Sequence, residues 1–125
     1  IKCIGIMKTF IVKRIRGFGY AFKGAVILLK TEASIQVQFC IAILVTVAGF
    51  YFNISSTEWL VQLLAIGLVM SVEGLNTAVE DIADFIHPDY HNKIGRIKDV
   101  AAGAVFISAV IAVIIAGIIY IPKIT

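Results

Sequence analysis

Two uncharged stretches set the limits on what this chain can fold into. Ala33–Thr57 and Val100–Pro122 contain no aspartate, glutamate, lysine or arginine. Each is long enough to cross a hydrocarbon core of about 30 Å, which takes about 20 helical residues. In lipid the backbone must satisfy its own N–H and C=O groups, so an isolated apolar stretch closes them as a helix. The strand-like alternation Ser34-Ile35-Gln36-Val37-Gln38-Phe39 yields to helix on the same ground. A third run, Leu60–Val72, is shorter and continues into Glu73, Glu80, Asp81 and Asp84 before Pro88 stops it. These runs predict an all-α fold of three transmembrane helices over 33–52, 57–86 and 96–121, the middle one emerging from the membrane with its acids.

Composition supports the membrane reading and removes its competitors. Hydrophobic residues make up 60% of the 125, and charged residues only 15%; soluble domains average about 45–50% and about 25%. Disordered segments are polar and charge-rich. A disulfide scaffold needs more than Cys3 and Cys40, which lie far apart in the chain. The formal charge of +3 is placed as topology. Lys2, Lys8, Lys13, Arg14, Arg16, Lys23 and Lys30 precede the first span, and Lys93, Arg96 and Lys98 precede the third. The Asn53–Glu58 loop has no lysine or arginine. By the positive-inside rule the N-terminus and the 87–99 loop face the cytoplasm, with Lys123 the one dissenting charge. The expected location is a cell membrane, crossed several times. Nucleic-acid binding is not expected, because no aromatic-basic platform or groove-reading motif accompanies the charge.

Residues 7–31 read as an amphipathic surface helix. Phe10, Ile11, Phe18, Phe22 and Val26 alternate with Lys13, Arg14, Arg16, Lys23 and Lys30, which places the helix in the headgroup plane with its cations near anionic lipid. Gly17, Gly19 and Gly24 weaken it as an isolated helix. In the last span Ala104, Ser108, Ala112 and Ala116 recur every four residues, a ladder that admits a close helix neighbour. Three spans enclose little on their own, so an oligomer is expected. Trp59, Tyr51, Phe52 and Tyr120 form an outer aromatic belt.

The chemistry is concentrated in Ser71–Asp84. On a helix, positions 73, 76, 80 and 84 share a face, and Glu73 and Glu80 project from it about 10 Å apart. Ionisable groups at membrane depth are expensive and mark function. Glu32 stands at the entrance of the first span, and Lys98 and Asp99 at that of the third. Two jobs fit this set. One is Mg²⁺–nucleotide chemistry, in which carboxylates hold the metal, a lysine meets phosphate and a further carboxylate takes a hydroxyl proton. The other is proton or cation conduction along Glu73 and Glu80. A third, non-catalytic reading leaves the acids as mere helix terminators, which suits Asp81 and Asp84 better than Glu73. His87 and His91 lack a third strong ligand nearby, so zinc is not expected. No G-x-x-x-x-G-K-[ST] loop is present.

The string Glu73-x-x-Asn76-Thr77-Ala78-Val79-Glu80-x-x-x-Asp84, then His91 and Lys98-Asp99 heading a small-residue span, resembles the prokaryotic diacylglycerol kinase family, which includes the undecaprenol kinases. Gly19-Tyr20-Ala21-Phe22-Lys23-Gly24 and Thr31-Glu32-Ala33 resemble that family's surface helix and first-span entrance, so the match runs from about residue 13 to 120. The resemblance implies a kinase that moves the γ-phosphate of ATP to the hydroxyl of diacylglycerol or undecaprenol, with a slight lean to undecaprenol. It implies Glu73 as general base and Asn76 as the amide beside it. It implies Glu32 and Glu80 as ligands of Mg²⁺, and Lys13, Tyr20, Asp89, Tyr90, His91, Lys98 and Asp99 as contacts to the nucleotide. It also implies a homotrimeric helical bundle with composite sites at the membrane surface. The sequence departs from the family pattern at Lys13, where an arginine is expected and Arg14 stands adjacent, and at Gly74, where a larger apolar residue is usual.

Overall fold

A computed structural model describes all of residues 1–125. It is all-α: α1 (Lys2–Thr31), α2 (Ala33–Tyr51), α3 (Ser56–Ile86) and α4 (Asn92–Ile124). The last three are each long and apolar enough to cross a membrane. By its contacts the chain divides into two compact units, Ile1–Ala33 and Ser34–Thr125.

The first unit is α1, a continuous 30-residue helix with no buried residue. It begins at Lys2 rather than near residue 7 and runs through Gly17, Gly19 and Gly24 without a break. At 100° per residue, Lys2, Lys8, Lys13, Arg16, Lys23 and Lys30 fall on one side and Met7, Ile11, Phe18, Phe22 and Leu29 on the other. Arg14 departs from the basic side, its guanidinium carbon 4.8 Å from the centre of the Phe10 ring.

In the second unit α3 and α4 form an antiparallel pair in close contact along their length, with ion pairs near both ends. Lys123 Nζ meets Glu58 Oε2 at 2.9 Å at one end, and Lys98 Nζ meets Asp84 at the other. Lys123, the charge that dissents in the lysine and arginine count, is thus paired with an acid of the same end. The residues buried in this unit are inverted relative to a water-soluble core. They include Gln62, Glu73, Asn76, Thr77 and Ser108, while Leu64, Phe106, Val113 and Ile118 face outward. Lipid accepts such an apolar exterior at no cost, and polar groups collect where helices can satisfy them.

The α2–α3 turn is locally encoded. Asn53 takes φ 53°, the left-handed region that asparagine tolerates. Ser55 caps α3: its hydroxyl accepts from Glu58 N at 3.2 Å, and Glu58 Oε1 accepts from Ser55 N at 3.0 Å. Gly49 lets Trp59 lie against α2, since a Cβ there would come within 2.6 Å of the indole ring. Above this turn Gln62 bridges all three helices. Its Nε2 donates to the Val45 carbonyl of α2 at 3.1 Å, and its Oε1 accepts from the Tyr120 hydroxyl of α4.

α4 starts at Asn92, four residues ahead of the expected 96, because His91 Nδ1 accepts from Lys93 N and caps it. At its other end it continues past 121 to Ile124 with Pro122 in its last turn, where a missing N–H costs a single helical bond. The ladder also finds its place. Ser108 is buried, and Ala112 and Ala116 line the space between α4, α3 and α2, so these three positions are taken up within the chain, while Ala104 stays exposed.

Gly49→Leu forces the Trp59 ring from its seat and is expected to cost about 1–3 kcal/mol, the range for overpacking. A lowered unfolding midpoint in detergent checks this, with Gly67→Ala, where an added Cβ meets nothing, leaving the midpoint unchanged or higher.

Candidate functional site

α3 carries a polar stripe that passes from buried to exposed along the helix. Glu73 is 8% exposed and Asn76 9%, Glu80 is half-buried, and Asp84 is exposed. The stripe follows from spacing alone, since residues three and four apart stack on one face. Its upper end continues the apolar run Leu60–Val72, which is why Glu73 sits at the change from greasy to charged surroundings.

Asn76 is the organising amide. Its Nδ2 donates to Glu80 Oε1 at 3.3 Å, steadying that carboxylate one turn further along. Its Oδ1 is buried without a hydrogen-bond partner. An unpaired buried acceptor costs about 1–3 kcal/mol, a cost that native structures accept mainly where the group has a task. Thr77 Oγ1 donates to the Glu73 carbonyl at 3.2 Å, which fastens the helix backbone behind the acid. Neither ion pair of the bundle involves the Glu73 carboxylate.

Lys98, expected to meet a nucleotide, is held across the α3–α4 pair by Asp84. Asp84 is thereby tied to α4, in helical phase with 73, 76 and 80. Asp99 follows, exposed. The connection between α3 and α4 is tied down by its histidines. His87 N donates to the Ala83 carbonyl and closes α3. His87 Nδ1 lies 2.6 Å from the Asp89 carbonyl, and the two imidazoles stand 5.5 Å apart. Asp89 and Tyr90 project into the open. The Tyr90 ring reaches back to Gly95, where a Cβ would approach it to 3.1 Å.

The remaining sequence-predicted residues belong to the first unit. Lys13 and Tyr20 are exposed on α1, seven residues and so about 20° apart around the helix. Arg14 points about 100° away from Lys13 and is engaged by Phe10. Glu32 is the C-cap of α1, half-buried, with its N–H on the Leu28 carbonyl. No group of three or more metal-ligating side chains gathers within the chain, and Glu32 and Glu80 fall in different units.

The polar bridge at the opposite end of the bundle escaped the sequence reading. Gln62, 4% exposed, and Tyr120 were both visible, and an amide inside an apolar run always needs a partner. What one chain of letters does not give is which partner. Tyr120→Phe strips the donor from Gln62 Oε1 and is expected to cost about 1–3 kcal/mol. Asp84→Asn, at an exposed pair, is expected to cost less than about 1 kcal/mol; denaturant titrations of the two variants check the ordering.

Comparison with known proteins bears on what this stripe is for. The family described as prokaryotic diacylglycerol kinase matches residues 19–120. An undecaprenol kinase of Bacillus subtilis is 38% identical over 108 residues, covering 86% of this chain and 88% of the relative. A diacylglycerol kinase of Escherichia coli K12 is 31% identical over 106 residues, covering 85% and 87%. One from Haemophilus influenzae is 30% identical over 98 residues, covering 78% and 83%.

Proposed function

Because this chain belongs to the prokaryotic diacylglycerol kinase family, and is a multi-pass membrane lipid kinase, we propose that it phosphorylates undecaprenol, with diacylglycerol as the rival acceptor. Membership decides between the two chemistries that the carboxylates left open, in favour of phosphoryl transfer over conduction. The lean to undecaprenol rests on the 38% relative that bears that name. The observation that carries the site assignment is Glu73 itself, a carboxylate 8% exposed at the step from apolar to charged surface. A greasy alcohol and a water-soluble nucleotide can meet at that level.

In this reading the Glu73 carboxylate takes the proton of the lipid hydroxyl. The hydroxyl oxygen then bonds to the γ-phosphorus as the bond to the ADP oxygen breaks, leaving a lipid phosphate and ADP. Asn76 orients Glu80 through its Nδ2. Glu80 and Glu32 supply hard oxygen donors, the kind Mg²⁺ takes. One or two carboxylates plus phosphate oxygens and water satisfy that ion, and Glu80, steadied by Asn76, has the chemistry of such a donor. Mg²⁺ would draw charge off the phosphates during transfer. Lys98, steadied by Asp84, and Asp99 face the nucleotide together with Asp89, Tyr90 and His91. Lys13 and Tyr20, on one side of α1, meet phosphate. Arg14 is less suited, being turned away onto Phe10. The basic N-terminal helix and the 87–99 segment lie on the cytoplasmic side, where ATP is found. A homotrimer completes the reading.

The test is transfer from Mg-ATP to undecaprenol or dioleoylglycerol in mixed micelles. Glu73→Gln is expected to lower kcat by about 10²–10⁴, the usual contribution of a positioned base, while nucleotide binding persists. Glu80→Gln is expected chiefly to raise KM for Mg-ATP. Wild-type kinetics in both folded variants would refute the roles, and excess chelator should abolish turnover reversibly.

A further inference from the structure

The exposed end of the α3 stripe carries two carboxylates, Glu80 and Asp84, one helical turn or about 6 Å apart along the axis. A single ammonium reaches them from α4. Lys98 Nζ donates to Asp84 Oδ1, and the Glu80 carboxylate adds its attraction to the same charge. On the apolar side of this group Asn76, 9% exposed, donates to Glu80 and keeps its own Oδ1 without a partner. The other ion pair of the bundle, Glu58 with Lys123, lies at the opposite end. Lys98 is therefore the built-in counter-charge of the acids that stand where the stripe opens to water.

This counter-charge is exchangeable. The side chains of Lys98 and Asp84 are 37% and 58% exposed, and ion pairs in such a setting are weak. An ammonium on a flexible four-carbon stem has three N–H donors and turns readily from one acceptor to another. A magnesium ion, by contrast, gives up water reluctantly and is held through one or two carboxylates together with phosphate oxygens. No three metal-ligating side chains gather within the chain. Glu80 and Asp84 alone thus offer a bare divalent cation too few ligands to overcome the positive charge already beside them.

We infer that Lys98 is a placeholder cation: it neutralises the Glu80–Asp84 end of the stripe until a nucleotide brings phosphate oxygens, then turns to those phosphates and leaves Glu80 to the metal ion that travels with them. The inference rests on the proposed kinase site, with Glu80 as a metal ligand and Lys98 as a phosphate contact. It adds an order of binding, in which the site takes a divalent cation as its nucleotide complex and rejects the bare ion. Asp84 is the positioning residue that parks the ammonium beside Glu80. A lysine that merely pinned the register of α3 against α4 would have no influence on metal affinity of this sign.

The experiment titrates Mn²⁺, a paramagnetic substitute for Mg²⁺, into the full chain in detergent micelles and reads the bound ion by electron paramagnetic resonance. It is done with and without the non-hydrolysable nucleotide AMP-PNP. Lys98→Gln is expected to tighten binding of Mn²⁺ alone at least fivefold and to weaken binding of the Mn²⁺–AMP-PNP complex at least fivefold. Lys98→Met repeats the test should the glutamine variant fold poorly. Lys98→Arg keeps the charge, so its affinity for Mn²⁺ alone is expected to stay within twofold of the unaltered chain. Adding Glu80→Gln to Lys98→Gln should abolish the gain. Unchanged or weaker binding of Mn²⁺ alone to the folded neutral variants would overturn the inference and leave Lys98 as a register pin. A gain that survives Glu80→Gln would overturn it as well, since the ion would then sit elsewhere. The underlying site reading fails by a different result: if Glu80→Gln alone leaves Mn²⁺–AMP-PNP binding unchanged, Glu80 is no metal ligand, and the inference falls with it.

Discussion

The antiparallel contact of α3 with α4 is what the rest of the structure depends on. It joins a helix that carries acids to one that carries a lysine, and it fixes their register with charged pairs near both ends, Glu58 with Lys123 and Asp84 with Lys98. Slip by one turn would move Lys98 about 5.4 Å along α3, away from the level of Asp84. Each pair is individually weak because it is partly exposed. Their worth lies in selecting one alignment among many that hydrocarbon packing alone would leave nearly equal in energy, since lipid is as apolar as the side chains it would replace.

The two ends of the bundle follow different chemistry. Near the α2–α3 turn polar groups are tied to one another: the capping box, the Gln62 bridge, and the Lys123 contacts to Glu58 and the Ile119 carbonyl. At the other end acceptors stand open, Asn76 Oδ1 and Gln38 Oε1 among them. A satisfied end holds the spans together, and an unsatisfied end is disposed to bind.

Much of this was legible before any coordinates. Uncharged length dictated helices, Pro88 dictated the break between α3 and α4, and helical phase put Glu73, Asn76, Glu80 and Asp84 in line. Helix ends were less legible because they turn on single side chains. His91 capping α4 moved its start to Asn92, and the length of α1 before residue 7 carried no punctuation to read. Pairings between distant segments were the least accessible. Nothing local ties Gln62 to Tyr120, or reveals that Ser108, Ala112 and Ala116 of the small-residue ladder face the chain's own bundle. The Ser55-x-x-Glu58 capping box is a local signal that the sequence analysis passed over, and it starts α3 at Ser56, one residue ahead of the expected 57.

The shelter of Glu73 has a consequence for economy. Water is also a hydroxyl nucleophile, vastly more abundant than any membrane alcohol, and a general base in open solvent would hand the γ-phosphate to it. A carboxylate 8% exposed, flanked by Val72 and the apolar run behind it, instead favours partners that arrive through hydrocarbon. With Glu73 as the base proposed above, the level at which α3 crosses from grease to charge would itself hold down ATP hydrolysis in the absence of lipid.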